Sequence, residues 1–424
     1  MNGYLKTLTT YIQEYRSRKG GYVFIANILI KFNSLLLSLF IVRLISKDVF
    51  GEISYALSII FPLTAFIGFG ANHSLLRFGA IQETFLHKWT IFKYAQKVGT
   101  YGSLILVTLL ISLSFLITKN SPGAEIFLII LSFQLLFNHW NLTQKSLFRI
   151  LRLNNLYGYS GIFQSVILLV TSIILVLLFG GIGYVLAIVL APLLAFVFYR
   201  NYFKSFPEPK KLHTLVEKSV FWKYGINVGI GAIASQMLFN VGIIMLGILL
   251  PESEEIASYK VASLIPLNLL FIPASFLKGD YVYLAENSFS YEVLSNYVKK
   301  YLGLMSLISL AIFVVFFIFS KQITVLLFGQ KYLTSHVLLR ILTVGIIGAI
   351  MFRSLFGNIL LAVGKANWNV INAIVILIIN IVLGYFLINR HGAIGAAYTL
   401  SISLWVGSLF SGLMLIMYLK LFTR

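Results

Sequence analysis

The sequence has no cysteine. Disulfides, thiolate metal sites and a cysteine nucleophile are therefore excluded. Charge is scarce: only 11% of residues are charged, and 13 of the 424 are acidic. Those acids all fall in loops or at the ends of apolar stretches, none near the middle of one. An exporter of organic cations, or a carrier driven through an embedded carboxylate, is expected to carry an acid there. The six histidines are scattered, with no pair at metal-ligand spacing, so neither a metal nor another cofactor is expected. No G-x-x-x-x-G-K-[ST] phosphate loop is present, which removes ATP hydrolysis by that route. Long polar segments are missing as well, and no outer loop has room for the catalytic site of a membrane glycosyltransferase.

What remains is apolar. Hydrophobic residues make up 59% of the chain, well outside the soluble range. A helix needs roughly 20 apolar residues to span the hydrocarbon. Such stretches recur at 21–44, 52–74, 97–118, 124–147, 157–179, 182–202, 221–250, 255–277, 300–320, 337–363, 367–388 and 393–419. The expected fold class is an all-α polytopic membrane protein of about twelve transmembrane helices. The first stretch is too long for the apolar core of a cleaved signal peptide and has Lys31 inside it.

The net charge of +20 sorts by side. With a cytoplasmic N-terminus, the cytoplasmic segments hold 24 of the 33 Lys and Arg residues and the outer segments eight, Lys31 being the last. This positive-inside bias is expected to put both termini in the cytoplasm and requires an even number of spans. It also explains the basic balance through anionic lipid, with no nucleic-acid partner. In residues 1–20, Tyr4, Leu5, Leu8, Tyr11, Ile12 and Tyr15 recur at helical spacing opposite Lys6, Arg16, Arg18 and Lys19. That pattern fits an amphipathic helix on the cytoplasmic leaflet, with a disordered basic tail as the other reading.

An internal repeat suggests two halves. Ser54, Tyr55, Pro62 and Leu63 return as Ser258, Tyr259, Pro266 and Leu267, and Gly180, Ile182 and Gly183 return as Gly392, Ile394 and Gly395. Two six-helix lobes, 21–202 and 220–424, then share one orientation and a pseudo-two-fold axis along the membrane normal. The segment 203–219, with two prolines and mixed charge, is the expected cytoplasmic linker.

Polar residues inside spans mark candidate sites. Asn27, Lys31, Ser34 and Ser38 share a face of the first span. A buried cation usually faces a cavity or a partner, the alternative being a lysine that snorkels to an interface. In the fourth span Gln134, Asn138, Asn141, Lys145, Arg149 and Arg152 fall in a narrow arc, amides deep and cations toward the cytoplasm. One reading makes the amides helix–helix glue and the cations topology markers. The other makes the stripe a path for something anionic and hydroxyl-rich. Gly70, His73 and Arg77 share a face of the second span, and Gly225, Gly229, Ala232, Gln236 and Asn240 a face of the seventh. Asn369, Asn372 and Asn380 in the eleventh read as packing glue. Arg340 and Arg353 in the tenth fit a boundary role or a ligand contact equally.

The motifs "VRLISKDVFGEISYALSIIFPLTAFIGFG", "LLRFGA", "LFGQKY", "GNILLAVGKANW" and "HGAIGAAYTLSIS" resemble those of the Wzx-type polysaccharide flippases. That family lies within the multidrug/oligosaccharidyl-lipid/polysaccharide exporter superfamily. The matching residues include Arg43, Leu44, Phe50, Gly51, Gly329, Tyr332, Gly364, Lys365, Gly392, Gly395 and Ala396. Many relatives carry an aspartate at the end of the seventh span, where this chain has Asn240. The resemblance implies alternating access around a cationic cavity. It implies a substrate, an undecaprenyl-diphosphate-linked oligosaccharide such as an O-antigen or capsule repeat unit, moved to the outer leaflet. It also implies membrane lipids and other polysaccharide-assembly membrane proteins as partners. Lys31 and Arg77, then Lys145 and Arg149, are the expected diphosphate contacts. Asn27, Gln134, Asn138, Asn141, Gln236 and Asn240 are the expected sugar contacts. A drug exporter of the same superfamily and a glycan polymerase are the alternatives; the first is opposed by the missing carboxylates, the second by short outer loops and no paired acid.

Overall fold

The computed structural model describes residues 20–203, 216–250, 252–287 and 290–420. The segment 1–20 and most of the expected linker lie outside them, apart from Gly20 and a few flanking residues. The described residues are almost wholly helical and contain no strand. In hydrocarbon every backbone N–H and C=O must find a partner within the protein, and a helix provides this locally. The helices are α1 (Gly20–Leu44), α2 (Lys47–Thr64), α3 (Ala71–Ala80), α4 (Phe85–Ile117), α5 (Ala124–Ile150), α6 (Asn154–Arg200) and α7 (Lys218–Leu249). They continue as α8 (Ser253–Leu269), α9 (Phe271–Glu286), α10 (Tyr291–Ile318), α11 (Ser320–Phe328), α12 (Ser335–Gly348), α13 (Ser354–Ala362) and α14 (Ala366–Lys420). The stretches expected to span are largely helical, with 52–74 interrupted between Thr64 and Ala71. Among the described residues nine helical segments are long and apolar enough to cross a membrane, two of them 50 and 53 residues long. Their outer faces keep side chains such as Leu177, Leu307 and Phe115 about two-thirds exposed, which only a lipid surround makes favourable.

The two long helices, α6 and α14, each contain one break, at Gly180 (φ 58°, ψ −133°) and Gly392 (φ 55°, ψ −133°). These are the glycines paired in the sequence repeat, and they share one conformation open in practice only to glycine. Three residues on, Gly183 and Gly395 also match. A Cβ at Gly183 would lie 1.9 Å from Leu175 O, and one at Gly395 2.0 Å from Leu387 O. Both chains fold back tightly on themselves there.

The second span is broken too, which its apolar sequence does not suggest. Pro62 lies in the last turn of α2, and Gly68, Phe69 and Gly70 take left-handed φ of 60°, 52° and 77° before α3 begins. Side chains repair the interrupted backbone: His73 Nε2 donates to Ala65 O at 3.0 Å, and Gly68 N donates to Ser103 Oγ at 3.1 Å. His139 of α5, fully buried, packs against Gly68 and Gly99 and donates to Gln96 O at 3.2 Å.

The chain forms two compact units. One comprises residues up to Ile45, Ile60–Ile117 and Gly123–Ile233; the other Ser46–Ile59, Thr118–Pro122 and Ala234–Arg424. In the first, α5 packs on α4 and α6, and α1 lies along α6. Its densest core is aromatic: Trp89, Phe92, Phe148 and Phe203 stack at 5.1–6.2 Å, and Phe221 joins through Phe78. Ser74 Oγ donates to Phe221 O at 2.6 Å, and Gly70 backs onto Gly225 so closely that a Cβ would meet its carbonyl oxygen at 2.0 Å.

In the second unit α14 zips onto α12. Ser401 Oγ, Trp405 Nε1 and Ser408 Oγ donate to the carbonyls of Ile341, Val344 and Gly348 at 2.8–3.0 Å. Gly345 and Gly348 permit this approach. The start of α2 clasps the start of α8. Lys47 Nζ pairs with Glu254 at 2.8 Å, and Gly51 leaves no room for a Cβ beside Ser253 O. Glu255 accepts from Ala393 N at 2.6 Å just after the Gly392 break. Tyr332 is fully buried nearby; burial, with the carboxylates of Glu254 and Asp48, raises its phenol above the ordinary value and keeps it neutral.

Gly70→Ala is expected to lower the melting temperature in detergent, because the left-handed φ alone costs about 1–3 kcal/mol and the contact with Gly225 adds to it. Gly303→Ala, in open space on α10, is expected to be neutral or to gain up to about 1 kcal/mol. Equal melting of the two variants would show that the break in the second span does not need glycine.

Candidate substrate-binding site

A polar band crosses the first unit where α1, α5 and α6 meet. Asn141 and Lys145 are four residues apart on α5 and so leave one face. Opposite them α6 carries Gln164, whose Oε1 accepts from Asn141 Nδ2 at 2.8 Å and from Lys145 Nζ at 2.5 Å. The neighbouring Ser165 accepts from Asn33 Nδ2 of α1 at 3.1 Å. Ser146 donates to Asn72 of α3.

Two features distinguish this band from packing glue. A lysine ammonium has three donors, and among the described residues Lys145 uses one. Among the described residues no carboxylate pairs with Lys145. In addition, Oδ1 of the buried Asn141 and Oε1 of Gln134, two turns away, lack a protein partner. Leaving such groups unpaired costs free energy unless water or a ligand satisfies them. The band therefore offers donors with net positive charge beside open amide acceptors.

The other proposed contacts are dispersed. Lys31 is exposed on α1, on the order of 120° round the helix from the buried stripe Ala26, Leu37 and Ile41 that faces α6. The Asn27 side chain lies outside the described residues. Arg77 is exposed on α3 with its guanidinium 4.7 Å over the Tyr224 ring, and Arg149 is exposed 5.5 Å over Tyr157. Asn138 is half-buried on α5. In the second unit Gln236 is exposed, and Asn240 bonds back to Gln236 O in its own helix at 2.9 Å. Sequence reasoning missed Gln164, Asn33 and Asn72. Gln164 was nonetheless visible as a lone amide in the apolar run 157–179, where a polar side chain needs a partner.

The sequence pattern of the polysaccharide biosynthesis protein family matches residues 17–279. The chain belongs to that family. A comparison with curated proteins gives no match. Among solved structures, the lipid II flippase MurJ in an inward closed conformation superposes with a TM-score of 0.73 at 17% identity, over 94% of this chain and 89% of that one. An inward-facing multidrug resistance MATE family transporter of the MOP superfamily gives 0.73 at 15%, over 93% and 95%. A MOP superfamily transporter from Pyrococcus furiosus gives 0.64 at 14%, over 95% and 96%. At these identities the likeness concerns the fold: this family member has the all-helical MurJ/MATE fold.

If Gln164 couples the band, a double-mutant cycle of Asn141→Leu and Gln164→Leu, read by thermal unfolding in detergent, should give a coupling of about 0.5–2 kcal/mol. Additive effects would mean that the two side chains act independently.

Proposed function

We propose that this protein turns a lipid-linked oligosaccharide, carried on undecaprenyl diphosphate, from the cytoplasmic to the outer leaflet of a bacterial inner membrane. The observation that carries this reading is Lys145, an uncompensated cation with free donors, on the same helix face as the buried, unpartnered amide oxygen of Asn141. A diphosphate calls for charge-assisted hydrogen bonds and a sugar for amides, and the lipid tail can stay in the bilayer. Membership of a polysaccharide biosynthesis family supports a glycan cargo, and a fold shared with a lipid II flippase supports a lipid-linked one.

In this proposal Lys145 is the first phosphate contact, with Lys31, Arg77 and Arg149 as further cations along the path. Asn141, Gln134 and Asn138 face the sugar, joined by Asn27, Gln236 and Asn240 as the cycle proceeds. Transport works by rocking of lobes 21–202 and 220–424 about the linker 203–219. An organic-cation exporter fits less well, since a cation without a carboxylate repels such cargo.

Lys145→Ala is expected to insert normally and to lower glycan export by about 10- to 100-fold, the size of a lost charge-assisted hydrogen bond of roughly 1.5–3 kcal/mol. Lys145→Arg should keep part of the activity, because charge persists while reach changes. Lys31→Ala should also lower export. Normal export by Lys145→Ala at equal abundance would remove this assignment.

The charge bias supports a cytoplasmic position for both termini. Reporter fusions after Lys211 and after Arg424 should both give cytoplasmic signals, and a periplasmic signal at either would break the even span count.

A further inference from the structure

The second unit contains an arginine that neither the family nor the site above accounts for. The tenth span is α-helical through α12, makes a single π turn over Ala349–Arg353, and resumes as α13. The extra residue of a π turn shifts every following side chain by about 100° round the helix. The turn is fixed from two sides: Tyr301 Oη of α10 donates to Ile350 O at 3.0 Å, and Ser408 Oγ of α14 to Gly348 O at 3.0 Å. A straight helix would satisfy its carbonyls without this help. What the turn changes is the aim of Arg353.

Arg353 lies about 27 Å along the helix axis from Ser335 and about 14 Å from Ala362, so it sits at hydrocarbon depth. It is half-buried, with its guanidinium 6.0 Å from the Phe239 ring of α7, a distance at which a cation–π contact is weak. Gly407 of α14 lies alongside: a Cβ there would be in ordinary contact with Arg353 Nε at 3.8 Å, the tight approach at Gly407 being to Ile376. Among the described residues the guanidinium, with five donors, has no hydrogen-bond acceptor and no carboxylate. Asp280 of the adjoining α9 is engaged by Tyr297 at 2.8 Å. Beside Gly407, Asn372 donates to its carbonyl at 3.2 Å, and the Asn372 Oδ1 is buried without a partner. A cation at this depth ordinarily faces a partner or a cavity. Here the partner is missing, and a backbone irregularity is maintained at the same place.

We infer that Arg353 is a phosphate contact of the second unit, taking oxygens of an isoprenyl diphosphate through its paired N–H donors. This rests on the transport reading above. It adds, in the second unit, a cation for the same kind of head group, and it assigns the π turn the role of presenting it.

The test uses the full-length protein purified in detergent and farnesyl diphosphate as probe, with affinity and melting temperature measured in parallel. Wild type should bind. R353Q should bind at least about tenfold more weakly while melting near wild type without ligand, and R353K about threefold more weakly, because lysine keeps charge but not the paired donors. A purely structural cation–π role predicts instead that R353Q and F239L both melt lower and bind alike. If R353Q does not insert, R353K decides, and wild-type affinity in R353K overturns the inference. Wild-type binding retained by R353Q overturns this inference alone, whereas no binding by wild type overturns the transport reading and this with it. Parallel loss of inorganic pyrophosphate binding in R353Q supports contact with the phosphate oxygens. Displacement of the probe by phosphatidylglycerol at equal concentration would assign the site to ordinary phospholipid and overturn it.

Discussion

The structure depends on one constraint: inside hydrocarbon no backbone hydrogen-bonding group can be left open. Where the helices run unbroken the constraint is met locally and needs no particular side chain. Where they break, side chains repair several of the breaks. His73 and Ser103 serve the break after Thr64, Tyr301 and Ser408 serve the π turn before Ser354, and Glu255 serves the amide after Gly392. The repairing groups are polar residues in otherwise apolar surroundings, so their placement follows from where the chain departs from a helix.

The same constraint separates polar residues that hold the fold from those left for a ligand. Asn369, Ser401, Trp405 and Ser408 spend their donors on carbonyls of neighbouring helices. Lys145 and Arg353 do not fully spend theirs, and the acceptor Oδ1 of Asn141 stays unpartnered. At the start of α2 and α8 the opposite holds for charge: Lys47 and Glu254 neutralise each other. Satisfied polar groups fix geometry, and unsatisfied ones mark where something else is expected to bind.

Glycine contributes at a few points where no other residue works. Gly180 and Gly392 adopt the same left-sided conformation at corresponding turns, and Gly70 admits the backbone of Gly225. The break at Gly180 and Gly392 explains why one of the short matches between the two halves of the sequence centres on glycine. The residues around them are merely apolar and vary between the halves, whereas a tight reversal tolerates one residue type.

Hydrophobic length and charge bias were enough to read the class and nearly every helix from the sequence, because burying a helix in lipid needs only composition and length. Of the candidate site, the arc on α5 was legible since helical periodicity fixes which residues share a face. Tertiary structure alone decided which of those residues meet a partner. Asn141 and Lys145 converge on Gln164, Lys31 stays exposed, and Asn240 turns back on its own helix. Those outcomes depend on how helices pack and where they break. Neither the break at Gly68–Gly70 nor the π turn that aims Arg353 follows from a local pattern, because each is held by side chains from helices distant in sequence.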